Sequence, residues 1–305
     1  MSMKQLTFLL SLVGSDSEYQ RDQALQAEKA AKRFGVALQI IYAQRDAITQ
    51  SQQLLNVIQS KSADKPDAII FEPVSETGLP QVARAAVEAG IGWCTLNLRP
   101  AYLAELRTSG ASIAFGIGAD HLEIGRIQGR QLAQMLPRGG EALLIQGPSD
   151  NTAARQRTQG MQETKPHNIN LRQLKGKWTE ESAYQCVASF LALSTSHDGN
   201  IQCIVAHNDP MAVGAKRGFA ERTAGQEQAR WLSLPFLGCD GLPESGKAWV
   251  PARKLTATVI VPANAPLAIE TFVNAFTTGK RPQEYSLTVS RSFPDIPLLK
   301  EVGRS

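Results

Sequence analysis

The chain has 305 residues, 43% of them hydrophobic and 20% charged, and its 32 basic and 28 acidic side chains leave a formal net charge of +4. That length accommodates two lobes of roughly 130 to 150 residues, each with its own core, and the even spread of Gly and Pro excludes a biased or disordered tract. A nucleic-acid surface needs a clustered basic stripe and a recognition motif, and neither occurs, so no nucleic-acid partner is expected.

The longest apolar run near the N-terminus, Leu6 to Val13, is too short to span a membrane and reads as the first strand. As given, the chain is expected in the cytoplasm, or in the periplasm if an export signal has been removed. Ser17 to Phe34 has helical spacing and stops at Gly35. A strand (Val36 to Tyr42), a helix (Ala47 to Gln59), a strand (Ala68 to Phe71), a helix (Gly78 to Ala89, stopped by Gly90) and a strand (Gly92 to Leu96) follow.

After an expected loop, Leu98 to Ser112, and the short run Ile113 to Gly116, the alternation resumes. Its helices are Asp120 to Met135, Thr152 to Glu163, Thr179 to Leu193 and Pro210 to Glu221, and its strands are Ala142 to Gln146, Ile169 to Leu174, Ile201 to Ala206 and Leu234 to Cys239. A short helix, a strand from Leu255 to Val261, a helix from Pro266 to Phe276 and a last strand from Tyr285 to Val289 complete the pattern. Strands alternating with helices predict an α/β protein with two doubly wound parallel sheets.

In such sheets ligands bind beyond the carboxyl ends of the strands. Polar groups stand at four of those ends: Ser15, Asp16 and Ser17; Glu72; Asn208 and Asp209; and Asp240. Asp, Asn and Ser are also preferred helix caps, which is the alternative for each of them taken singly.

Enzymatic readings find little footing. The chain has no GxGxxG after a strand, no GxxxxGK[ST] loop and no GxSxG elbow. His121, His167, His197 and His207 lack zinc spacing and read as loop or cap residues. The four cysteines, Cys94, Cys186, Cys203 and Cys239, are far apart and read as free thiols. Neither a metal nor a cofactor is expected. Glu72 and Asp240 suit an acid and base pair in principle, but carboxylates that accept from ligand hydroxyls fit the setting better.

Two segments carry a family resemblance, Leu143-Leu-Ile-Gln-Gly-Pro-Ser-Asp-Asn-Thr-Ala-Ala-Arg-Gln-Arg-Thr-Gln-Gly160 and Ala206-His-Asn-Asp-Pro-Met-Ala-Val-Gly-Ala215, together with Gly238-Cys-Asp-Gly241, Leu255 to Val259 and Ala119 to Gly125. The chain resembles the ribose-binding group of type I periplasmic binding proteins, whose fold is shared with lactose-repressor-family effector domains. The resemblance implies a solute-binding protein that closes around a monosaccharide or related polyol. Its lobes would be 1–118 with 261–289 and 119–260 with 290–305, joined near Gly118, Ile260 and Val289, with the ligand between them.

By position, the resemblance makes Arg155 the arginine that forks onto sugar oxygens, Asn208 the hydroxyl-holding amide, Asp240 the accepting carboxylate and Trp178 the ring against the sugar's apolar face. Asp16, Tyr19, Gln20, Glu72, Asn97 and Arg99 complete the expected contacts. Several of them depart from the ribose binders: Glu72 replaces an asparagine, Asn97 and Leu98 replace an Asp-Arg pair, Glu18-Tyr19-Gln20 replaces an aromatic pair, and Ile260 or Val261 replaces a glutamine. Ribose itself is therefore not predicted. The expected partner is a membrane permease or a cytoplasmic signalling protein, served by a monomer that does not enter the membrane. The main alternative is a sugar-sensing effector domain, although strand one starts too early in this chain to leave room for a helix-turn-helix.

Overall fold

The computed structural model describes residues 5–61, 65–108, 112–193 and 200–302. The chain divides into two compact units, Met1–Ala119 with Ala263–Thr288, and Asp120–Pro262 with Val289–Ser305.

Unit 1 is built on six parallel strands: β1 (Thr7–Leu12), β2 (Ala37–Tyr42), β3 (Ala68–Phe71), β4 (Gly92–Leu96), β5 (Ala114–Ala119) and β11 (Tyr285–Thr288). Their order is β11-β5-β4-β3-β1-β2, with Leu10 of β1 level with Ile40 of β2 and Ile70 of β3. Successive side chains leave a strand on opposite faces, which divides β1 between two cores. Phe8, Leu10 and Leu12 pack with Ala24, Ala27 and Ala31 of α1 (Glu18–Phe34) and with Ile269 and Phe272 of α11 (Ala265–Thr278). Leu9 joins the other core, under α2 (Ala47–Gln59), α3 (Pro80–Glu88) and α4 (Tyr102–Thr108).

The boundaries of α1 follow from its end residues. Ser17 accepts from the Gln20 amide at the start, and Gly35 ends the helix at φ 69°, a left-handed turn that glycine makes without Cβ strain. Helix α4 lies inside the stretch expected to be a loop. Its Tyr102, Leu103 and Leu106 are buried, so packing on the sheet sustains a helix too short to persist alone.

Unit 2 has a parallel sheet of β6 (Gly140–Gln146), β7 (Ile169–Lys175), β8 (Ile201–Ala206) and β9 (Phe236–Leu237) in the order β7-β6-β8-β9. Helices α5 (His121–Met135) and α6 (Thr152–Thr164) precede and follow β6 in the chain; α7 (Glu180–Leu191), α8 (Asp209–Arg222), α9 (Gly225–Ser233) and α10 (Gly246–Trp249) come later. Leu143 and Ile145 pack with α7 and α8, whereas Ala142 and Leu144 pack with Leu132 and Met135 of α5 and Met161 of α6.

Two expectations for this unit change. The strand foreseen over Leu255 to Val261 is β10 (Thr258–Ile260), which pairs antiparallel with β12 (Arg291–Phe293), an element the sequence reading lacked. The strand foreseen over Leu234 to Cys239 shortens to the two residues of β9.

Helices α5 and α6 approach closely through glycines. A Cβ on Gly125 would stand 2.0 Å from the Arg157 carbonyl oxygen, and one on Gly160 would stand 1.9 Å from that of Leu122. Hydrogen takes the place of a methyl at both points, which lets the two backbones touch and fixes where α6 holds its side chains.

Candidate functional site

Each unit gathers polar side chains at the carboxyl ends of its own strands. In unit 1 the centre is Glu72, just past β3. Its Oε2 accepts from Gln20 Nε2 at 2.8 Å and its Oε1 from Asn97 Nδ2 at 3.0 Å. Asn97, which ends β4 at φ 57°, also donates to the Tyr19 hydroxyl at 2.8 Å and accepts from Asn264 Nδ2 at 2.5 Å. Gln23 ties the group to the start of α11: its Nε2 donates to Tyr19, and its Oε1 accepts from the Asn264 and Ala265 amides. Burial raises the Glu72 carboxyl above its ordinary value, against the lowering effect of its two amide donors.

Tyr19, Gln20, Glu72 and Asn97 thus form one connected network, while two nominated residues stand apart. Asp16 is exposed and paired to Arg45 at 2.8 Å. Arg99 is exposed, paired to Glu284 at 3.0 Å, with its guanidinium 5.7 Å from the Tyr285 ring. Asn264, Gln23 and Gln50 belong to the network's frame and were missed. Gln50 is fully buried on α2, donates to the Glu72 carbonyl at 2.8 Å and accepts from the Val74 amide.

In unit 2 the centre is Arg157, 5% exposed, on α6. It donates to the His207 carbonyl, lies 3.8 Å from a carboxylate oxygen of Asp240, and holds its guanidinium carbon 5.4 Å from the Trp178 ring. The ring, at a residue with φ 64°, also faces His207 and covers Gly147, where a Cβ would meet it at 2.4 Å.

Asn208 caps α8 by accepting from the Met211 amide and steadies the Trp178 turn by donating to its carbonyl at 2.9 Å. Of the histidines expected to be loop or cap residues, His207 is fully buried and accepts from the Gly147 amide at 3.1 Å, and His197 lies outside the described residues. Burial first, and the Arg157 charge second, lower the His121 and His207 pKa values to about 3, so both rings are neutral at physiological pH.

The arginine fork assigned to Arg155 requires correction. Arg155 is exposed and folds back over the start of its own helix, donating to the carbonyls of Ser149 and Asp150 and to Thr152 Oγ1. The buried guanidinium stands two residues later. Residues two apart on a helix point about 200° from one another, so only one of the pair faces inward. The buried positions Ala154, Arg157 and Met161 recur at helical spacing, and that signal was present in the sequence.

Asp209 is the second buried carboxylate. Its Oδ2 accepts from the Gly241 amide and its Oδ1 from Thr258 Oγ1, each at 2.7 Å, and it fills the space that a Cβ on Gly238 or Gly246 would take. By holding Gly241 it fixes Asp240, whose backbone sits at φ 106°, a conformation costing about 1 to 3 kcal/mol without such supports. Burial, and next the Asp240 charge, push the Asp209 carboxyl well above its ordinary value. A carboxyl raised in the folded chain contributes stability that is complete below its ordinary pKa of 3.8 and is lost as pH climbs through the folded value. As pH climbs above the ordinary carboxyl range, the melting temperature of Asp209→Asn should therefore rise relative to wild type. Calorimetric scans at increasing pH check this, and a pH-independent gap would contradict it.

The comparisons bear on this arrangement of α/β units with polar strand ends. The family model for the periplasmic binding protein domain matches residues 8–272. The chain belongs to that family.

Among relatives of this periplasmic binding protein domain, the ribose import binding protein RbsB of Escherichia coli is 27% identical over 234 residues, 76% of this chain and 71% of that protein. The galactofuranose-binding protein YtfQ of the same organism is 24% identical over 298 residues, 95% of this chain and 88% of that one. A relative from Rhizobium meliloti is 28% identical over 190 residues but is matched over only 56% of its length. The crystal structure of an ABC transporter periplasmic solute binding protein from Actinobacillus succinogenes, with bound D-allose, superimposes with a TM-score of 0.80 at 21% identity, covering 96% of this chain and 98% of that one.

Proposed function

We propose that this protein binds a small polyhydroxylated ligand, a monosaccharide or related polyol, without transforming it, and presents it to an ABC-type membrane permease on the periplasmic side. The Arg157, Asp240 and Trp178 cluster carries the reading. A sugar hydroxyl both donates and accepts; Asp240 only accepts and Arg157 only donates, and an indole face suits the apolar C–H face of a sugar ring. With both histidines neutral, Arg157 supplies the positive charge and Asp240 the negative charge beside the Trp178 ring. Glu72, Asn97 and Gln20 offer unit 1 a similar mixture of acceptors and donors. The sugars named for RbsB, for YtfQ and for the D-allose complex support the ligand class.

Asp240→Asn preserves shape but removes the charge and turns one acceptor into a donor. Calorimetry against pentoses, hexoses and polyols should show a loss of about 1.5 to 3 kcal/mol for whichever sugar the wild type binds. Arg155→Ala, altering an exposed capping side chain, should leave that affinity unchanged. Sugar recovered from both incubations should be chemically intact. Retained affinity together with product formed by the wild type alone would make Asp240 catalytic and overturn the reading.

A further inference from the structure

Glu72 differs from Asp240 in its company. Asp240 has Arg157 nearby, whereas Glu72 has no cationic partner among the described residues, and both of its hydrogen bonds come from neutral amides. The groups around it are neutral as well: Gln20 from α1, Gln50 from α2, the carbonyl of Ser11 from β1, and Asn97 with the Tyr19 phenol beyond it.

An ionised carboxylate offers about four lone-pair sites, and these amides occupy two, leaving each oxygen able to accept once more. The amide hydrogens of Gln20 and Asn97 fix both oxygens in place, so a further donor would meet a preset geometry. Resting on the function proposed above and deepening it, we infer that Glu72 receives an ammonium group of the ligand, and that the natural ligand is an amino sugar or an amino polyol.

Two properties of the site favour an ammonium over another hydroxyl. Glu72 is half-buried; a partly desolvated carboxylate without a counter-charge is costly, and a cation within about 4 to 6 Å offsets that cost where a neutral hydroxyl does not. A charge-assisted N–H···O bond is also roughly twice as strong as a neutral one. Burial raises the Glu72 carboxyl when no ligand is present, and an arriving ammonium would favour its ionised form.

The test is calorimetry on the wild-type chain with matched pairs: 2-amino-2-deoxy-D-glucose against D-glucose, 2-amino-2-deoxy-D-galactose against D-galactose, and an inosamine against the corresponding inositol. In at least one pair the amine should bind about tenfold or more tighter. Glu72→Gln keeps the shape and should bring the ratio in that pair towards unity. A variant that fails to fold leaves the wild-type ratio to decide, together with the N-acetylated form of the preferred amine, which carries no charge and should lose the preference. Sugar binding with no amine preference in any pair overturns the inference and leaves the proposed function standing. An amine preference that survives in folded Glu72→Gln also overturns the inference, and absence of binding by every member of every pair overturns both.

Discussion

Arg157→Ala should unfold at a much lower denaturant concentration than the wild-type chain, with a stability loss on the order of 3 to 5 kcal/mol. The guanidinium lies 3.8 Å from Asp240, it donates to the His207 carbonyl, and its charge opposes ionisation of the two neighbouring histidines. Truncation would take the guanidinium charge away from Asp240, which is 9% exposed, and would open a gap beside the Trp178 ring. Removing one partner of a buried ion pair is strongly destabilising even where the pair itself contributes little. Arg157→Lys keeps the charge but loses the planar fork, so it should recover only part of the loss. Urea titrations of the three chains decide the matter. A wild-type midpoint for Arg157→Ala would show that Asp240 needs no cation and that the cluster is held by other means.

Alanine at Gly160 or Gly125 should cost on the order of 2 to 4 kcal/mol, although alanine is the better helix former. The obstacle at each position is a backbone carbonyl on the facing helix, 1.9 and 2.0 Å from the new carbon, and a backbone has no rotamer with which to retreat. The helices must separate, and α6 carries Arg157, so affinity should fall along with the urea midpoint. Alanine variants with wild-type stability would mean that α5 and α6 slide apart freely, contrary to the close packing between them.

What the sequence made legible depended on whether a local signal and the tertiary outcome coincided. The runs Ala68 to Phe71, Gly92 to Leu96 and Ile201 to Ala206 end where expected because they are buried strands bounded by turn residues. Helices α4 and α9 were missed: both are short, and what holds them is burial of a few residues such as Leu103 and Trp231, which depends on neighbours distant in sequence. β12 was missed because its partner lies some thirty residues upstream and neither strand alternates for long. At the site, residue type at a strand end pointed to Glu72, Asn208 and Asp240, whereas Asn97 came from the resemblance alone. Direction was not legible, as Arg155 and Arg157 show, and the exposed pairings of Asp16 and Arg99 with Arg45 and Glu284 depend on chain segments that no motif connects.

The return of the chain to unit 1 has a consequence for its synthesis. β11 pairs with β5, so that Tyr285 meets Gly116, and Ile269 and Phe272 of α11 complete the core that α1 begins. A ribosome releasing the protein from its N-terminus therefore exposes an unfinished unit 1, with the edge of β5 unpaired and the alanine face of α1 uncovered, until almost the whole chain has been made. Unit 2 lacks only β12 and the residues after it at the same moment. The second unit in sequence is thus the first able to fold, and β11 and α11 act as a late closing step whose long sequence separation slows it. For as long as that step is pending, a holding chaperone has an apolar helix face and an open sheet edge to bind.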